Sequence, residues 1–185
     1  MSQSRFILKP GKEDSFRRFH PWVFSGAIQR VIGEPVEGDV VTVEDWQGNF
    51  IGVGHYQIGS IAVRILSFTP VEIDHSFYCE RLGVAYEMRR SLGLENGDYN
   101  NAYRLVHGEG DNLPGLIIDI YRNTAVMQAH SPGMHYARHT LAKALKEVMG
   151  DKLDNIYYKS ETTLPYKAAL EQGLSARTVT FDNKD

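Results

Sequence analysis

Residues 39–68 read DVVTVEDWQGNFIGVGHYQIGSIAVRILSF, and this stretch decides the fold class of the first third of the chain. DVVTVEDW (39–46) alternates apolar and polar side chains, the period-two pattern of a strand with one buried face. NFIGVGHY (49–56) follows a turn at Gln47-Gly48, and IAVRILSF (61–68) is reached through Ile58-Gly59-Ser60. Short strands joined by glycine-containing turns predict a small barrel or sandwich. Upstream, KEDSFRRF (12–19) predicts one short helix, because Phe16 and Phe19 fall on a shared helical face.

Beyond this stretch the pattern changes. Thr69-Pro70 breaks the strand periodicity, and Asp74 is suited to cap a helix. HSFYCERLGVAYEMRRSLGL (75–94) places Phe77, Leu82, Ala85, Met88 and Leu92 at helical spacing, with Gly93 at the end. This helix opens a second unit. AYRLVH (102–107) reads as a strand, GEGDNLPG as a polar turn, and GLIIDIY (115–121) with TAVMQAH (124–130) as a hairpin around Arg122-Asn123. Ser131-Pro132 leads into a helix over MHYARHTLAKALKEVMG, whose apolar side is Tyr136, Leu141, Leu145, Val148 and Met149. LDNIYYKS (153–160) is a further strand. The order helix, three strands, helix, strand makes this half α+β. The sequence then offers a short helix at KAALEQ and turns polar. The tail, 171–185, reads as leading toward a further domain rather than as a designed end, a solvated tail being the alternative.

The bulk numbers fit this division. At 185 residues, 42% hydrophobic and 23% charged, the chain is long enough for one large or two small globular domains. Its net charge of −3 means that any nucleic-acid binding must come from a local basic surface. A single cysteine, Cys79, allows no internal disulfide and fits a reducing compartment. No signal peptide and no membrane-spanning run is visible, so a cytoplasmic location without membrane contact is expected.

Several catalytic signatures are missing. Neither phosphate-binding glycine loop occurs, nor does a nucleophile elbow. Cys79 lies four residues after His75, a spacing at which two side chains on a helix can share a metal, but no third ligand is near in sequence. The ordinary reading is a half-buried cysteine and no metal. His107, Glu109 and Asp111 cluster in HGEGDNLPG, where composition favours a capped turn over acid–base chemistry. Arg138, Lys143 and Lys146 read as the solvated face of their helix.

RRFHPWVFSGAI (17–28) stands apart. Arg5, Lys9, Lys12, Arg17 and Arg18 face only Glu13 and Asp14 over the same span, and His20, Trp22 and Phe24 follow at once. Phosphates need cations and exposed bases need flat π-faces, so the run suits an RNA-binding edge. It is equally readable as barrel core with incidental arginines; of its members, Trp22 is the core candidate, and Arg17, Arg18 and His20 are the contact candidates. Arg64 interrupts the apolar strand IAVRILSF, either as a further RNA contact or as an outward-facing strand residue.

RFHPWVFSGAI, followed by GDVVTVEDWQGNFIGVGHYQIGSIAVRILSF, resembles the N-terminal PUA domain of the bacterial 23S ribosomal RNA large subunit methyltransferase I group. NAYRLVHGEGDNLPGLIIDIY resembles that family's central α+β domain, through Arg104, Glu109, Asp111, Leu113, Pro114, Gly115 and Leu116, with Asp119 and Tyr121 close behind. The resemblance covers most of residues 5–170. It implies a small PUA-like β-barrel over 1–70 and a central α+β domain over 71–170 with a mixed or antiparallel sheet and two helices. It also implies a Rossmann-like methyltransferase domain that this sequence lacks, together with that domain's catalytic cysteine. Family members make 5-methylcytosine with S-adenosylmethionine; Cys79 sits in the wrong domain to inherit the nucleophile's part. The chain is therefore expected to be the RNA-recognition half of such an enzyme, inactive alone and binding no cofactor. Its partner would be ribosomal RNA, with homodimerisation left open. The contacts assigned are Lys9, Lys12, Arg17, Arg18, His20 and Arg64. The competing readings are a freestanding PUA-type RNA reader and a protein-interaction module.

Overall fold

The computed structural model describes residues 4–95, 100–160, 162–164 and 178–179. The chain divides into two compact units, Met1–Ile73 with Pro132–Tyr136, and Asp74–Ser131 with Ala137–Asp185.

The first unit is a six-stranded curled sheet. Its strands are β1 (Arg5–Leu8), β2 (Trp22–Phe24), β3 (Ile28–Ile32), β4 (Val40–Glu44), β5 (Phe50–Tyr56) and β6 (Ile61–Ser67). They lie in the order β2-β6-β5-β4-β1-β3, antiparallel throughout except for the parallel pair β1 and β4. The core is formed by Phe6, Leu8, Val23, Val41, Val43 and Val63, all at most 2% exposed. Alternation puts these inward and their neighbours outward, as the period of a pleated strand requires. The three strands read in 39–68 are β4, β5 and β6. At Gly54, a Cβ would lie 2.0 Å from the carbonyl oxygen of Arg64, so β5 and β6 approach more closely here than any side chain allows.

KEDSFRRF does not form the expected helix. Only Phe16–Arg18 makes a single 3-10 turn, ended by Phe19 in the left-handed region at φ 57°. Pro21 forces the residue before it toward extended geometry, which stops propagation. Phe16 is buried, whereas Phe19 is 72% exposed and shares no core face with it.

In the second unit, α1 (His75–Ser91) precedes a sheet of β7 (Ala102–His107), β8 (Leu116–Tyr121), β9 (Thr124–Ala129), β10 (Asn155–Tyr158) and β11 (Thr178–Val179). These five are ordered β11-β10-β9-β8-β7, with β9 and β10 parallel and the rest antiparallel. Asp74 caps α1, its carboxylate accepting the Phe77 N–H at 2.9 Å. The buried face of α1 is Phe77, Tyr78, Leu82, Ala85 and Tyr86, while Met88 and Leu92 are exposed. The expected stripe was thus rotated: large aromatics at 78 and 86, not the aliphatics at 88 and 92, set the face that packs.

The expected long helix over 134–150 is two helices, α2 (Pro132–Tyr136) and α3 (Arg138–Met149). They fall in different units, α2 with the first and α3 with the second. Tyr136 consequently leaves the apolar side of α3, and its ring lies where a Cβ on Gly38 would stand. The KAALEQ expectation lies outside the described residues. Among the described residues no helix is long and apolar enough to cross a membrane.

Candidate nucleic-acid interface

The first unit gathers an aromatic and cationic cluster on the β2 edge of its sheet. Trp22 on β2 is paired in register with Arg64 on β6, and Arg64 with His55 on β5. Paired residues project to one face of a sheet, so the three form a row. His55 is 4% exposed, Arg64 and Trp22 are half-buried, and beyond them Phe24 is 47% exposed.

Within that row the Arg64 guanidinium lies 5.6 Å from the centre of the Trp22 ring, a cation–π distance. Its Nε–H donates to Gln57 Oε1 at 3.1 Å, which fixes the plane of the fork. Gln57 is itself buried at 7% exposure. His20, Trp22 and Phe24 form a ring cluster, with centroids 5.8 Å (His20–Trp22), 6.3 Å (His20–Phe24) and 6.4 Å (Trp22–Phe24) apart. The His20 ring is turned by its Nδ1, which accepts the Trp22 N–H at 3.2 Å. Phe19 stands edge-on to Phe68 at 5.3 Å and remains largely exposed.

Of the sequence-predicted contacts, the structure brings His20 and Arg64 together around Trp22. Lys9 is anchored beside them in the chain, its Nζ donating to the Gly26 carbonyl at 2.8 Å, two residues past Phe24. Arg17 and Arg18 are exposed on the 3-10 turn that precedes His20. Arg17 reaches Asp14 at 3.7 Å with both side chains more than 70% exposed, an ion pair of little strength. Lys12 is exposed and is not joined to the ring cluster by any side-chain contact described. Trp22 is not the core residue expected of it: Val23, fully buried, holds that place, and Trp22 lies on the opposite face of β2. Sequence reading missed Phe19, taken as a helix core residue, and Gln57, which carries no signal in sequence because its role depends on the fold returning Arg64 to it seven residues later.

Chemically, this arrangement offers flat rings partly open to solvent, a fixed guanidinium and several exposed cations. Such a surface can stack planar groups and hold phosphates.

The second unit's sequence cluster has a different character. Asp111 accepts two guanidinium hydrogen bonds from Arg89, at 2.5 and 2.8 Å, and the His107 N–H at 2.6 Å. Arg104 donates twice to Asp119 across β7 and β8, at 2.8 and 3.0 Å. These carboxylates hold the strand–turn–strand together. Gly115, at φ +86°, approaches the Ser131 side chain so closely that a Cβ would meet Oγ at 2.6 Å.

Residues 6–68 match the PUA-like domain family. Over 174 residues the chain is 38% identical to ribosomal RNA large subunit methyltransferase I of Yersinia pseudotuberculosis serotype O:1b and of Yersinia pestis bv. Antiqua. These matches cover 92% of this chain and 43% of each relative, so the chain spans well under half the length of the curated proteins it matches. A solved structure of a candidate SAM-dependent methyltransferase from Streptococcus mutans superposes with a TM-score of 0.72 at 16% identity, covering 84% of this chain and 40% of that one. A second structure, a candidate methyltransferase complexed with SAH, gives 0.73 over the same shares. At that identity these two establish the fold alone. The chain is similar to the ribosomal RNA large subunit methyltransferase I proteins over 43% of their length, and the part that matches the PUA-like domain family lies in its first unit.

Proposed function

We propose that the first unit grips ribosomal RNA for a protein that methylates cytosine at C5 in that RNA with S-adenosylmethionine, in the cytoplasm. The observation that carries this reading is the Arg64 guanidinium held over Trp22 beside exposed Phe24, with Lys9, Lys12, Arg17, Arg18 and His20 close in sequence. Rings of this kind stack unpaired bases, and the exposed cations neutralise phosphates. The net charge of −3 argues that affinity resides in this patch and is modest.

The methyl donor does not fit the described residues. Among the described residues of the second unit, the parallel crossover runs from β9 through α3 to β10, where a cofactor would lie beyond the strand ends. That place is closed by the chain's own groups: the Ser160 hydroxyl accepts the Ala129 N–H at 2.8 Å and the Thr163 hydroxyl donates to the Ala129 carbonyl at 2.6 Å. No glycine-rich turn follows β9, which leads instead into His130-Ser131-Pro132. Accordingly no methyl-transfer step is assigned to these residues, and the contribution proposed for them is to bind and orient RNA.

The test is direct titration with a ribosomal RNA fragment at two salt concentrations, read by anisotropy of this chain and by tryptophan fluorescence of its Trp46→Phe variant, in which Trp22 is the one tryptophan left. Binding that weakens steeply with salt and quenches the tryptophan supports the reading. Capture of a protein ligand at the same patch, with no RNA affinity, would favour the interaction-module alternative, for which exposed Phe19 and Phe24 are the attraction.

A further inference from the structure

We propose that His75, Cys79 and Glu147 form a binding site for a zinc-class divalent cation that clamps α1 to α3 in the second unit. This inference is independent of the RNA-binding reading.

The sequence supplies two of the three donors, one helical turn apart at the start of α1. The fold supplies the third, from the last turns of α3, 68 residues further along the chain from Cys79. His75 Nε2 lies 3.5 Å from Glu147 Oε2, and Cys79 Sγ lies 3.7 Å from the His75 ring nitrogens. One donor atom from each residue falls within 4.8 Å of the other two.

Two of the three spacings match edges of a coordination tetrahedron. Zinc bonds of about 2.3 Å to sulfur and about 2.0–2.2 Å to nitrogen and oxygen place neighbouring ligands about 3.6 Å (S to N) and about 3.4 Å (N to O) apart. The observed S-to-N and N-to-O separations are within a few tenths of an ångström of those edges, and the sulfur and the Glu147 carboxylate lie within 4.8 Å of each other, so side-chain adjustment alone can close the three donors around an ion.

Local charge points the same way. The Glu147 carboxylate reaches the His75 ring at 3.5 Å and Asp74 directly precedes His75 in the chain, so the donors stand beside two carboxylates. A divalent ion offsets that negative charge: the thiol releases its proton to solvent and becomes a ligand. The donor set selects the ion. Thiolate with imidazole suits zinc, whereas magnesium and calcium require oxygen ligands. His75 and Glu147 side chains are 42% and 66% exposed, leaving room for water as a fourth ligand. Three protein donors and an open position describe an exchangeable site rather than a closed structural one.

Cys79 is the chain's one cysteine, so thiol chemistry reports on this site alone. The experiment adds Co2+ to the metal-free 185-residue chain, then displaces it with Zn2+, and separately follows alkylation of Cys79 by a chromogenic thiol reagent. One equivalent of Co2+ should produce a sulfur-to-cobalt charge-transfer band with the intense visible absorption of tetrahedral geometry. Zn2+ should abolish that band and slow Cys79 modification at least tenfold. Glu147→Gln and His75→Asn, both at exposed side chains, should each weaken Co2+ binding at least tenfold while leaving the circular dichroism spectrum intact. Absence of the band in the wild-type chain overturns the proposal. So does a band, or zinc protection of Cys79, that persists unchanged in Glu147→Gln and His75→Asn, since the ion would then be held elsewhere.

Discussion

Arg89 and Asp111, 22 residues apart, meet in a two-pronged pair, Nη1 to Oδ1 at 2.5 Å and Nη2 to Oδ2 at 2.8 Å, with side-chain exposures of 11% and 5%. The pair ties the last turn of α1 to the 3-10 turn after β7, and Arg89 Nε also donates to the Arg104 carbonyl at 3.1 Å. Removing one member leaves the other charge buried and unpaired. Asp111→Ala should therefore destabilise the second unit by about 3–5 kcal/mol, measured as a shift in its denaturant midpoint. An effect below about 1 kcal/mol would show that water reaches the pair.

Acid should loosen the first unit. Burial pushes the His55 imidazole down to about 4 from an ordinary value near 6.5, so the folded state holds it neutral where the unfolded chain is protonated. The unfolded chain then binds more protons between about pH 6.5 and about 4. Stability contributed by neutral His55 is complete above pH 6.5, falls through that window by about 3 kcal/mol and levels off below it. An imidazole titration by NMR checks this: the His55 ring should stay neutral to near pH 4. A midpoint near 6.5 would contradict the burial argument.

Gly133, on α2, lies directly against the His55 side chain. A Cβ there would fall 2.2–2.4 Å from the His55 side chain, so Gly133→Ala must displace either the ring or the helix. Overpacking of this kind costs about 1–3 kcal/mol, and the displaced ring should titrate closer to 6.5. Thermal unfolding with the same NMR titration tests both effects together.

The β5–β6 approach at Gly54 predicts a stronger disruption. Gly54→Ala sets a methyl against the Arg64 backbone, which cannot swing aside as a side chain could. Pairing of β5 with β6 should fail locally, Arg64 should leave Trp22, and RNA affinity should fall with stability. Retained affinity in a folded Gly54→Ala protein would separate RNA binding from this strand pair.

Much of this architecture was legible from patterning alone. Strands 40–44, 50–56 and 61–67 follow from alternation and glycine turns, and α1 follows from Asp74 and its periodicity. Four strands carry no period-two signal in the sequence: Arg5–Leu8 and Trp22–Phe24 are almost continuously apolar, Ile28–Ile32 sets Gln29 and Arg30 side by side, and Thr178–Val179 is two residues long. Trp22 was misplaced for a related reason: in WVF any of three apolar residues could face inward, and only pairing with β6 selects Val23. The helix break at Ala137 is likewise tertiary, since α2 and α3 belong to different units. Glu147 could not be joined to His75 and Cys79 in sequence because helix–helix packing, not spacing, brings it there. Sequence did single out His20, Arg64 and the basic run, since charge beside aromatics is a local signal that needs no fold to be noticed.

The central claim is that the basic-aromatic edge of the first unit holds ribosomal RNA. It is tested most directly by measuring affinity for a ribosomal RNA fragment across a salt series, for the wild-type chain, Arg17→Ala with Arg18→Ala, and Arg64→Ala. If these arginines contact phosphates of single-stranded RNA, the double variant should flatten the log–log salt slope by about 1.4, at about 0.7 per lost contact. Arg64→Ala should weaken binding at least tenfold and, made on a Trp46→Phe background, reduce quenching of Trp22. Wild-type affinity and slope retained in both variants would contradict the account.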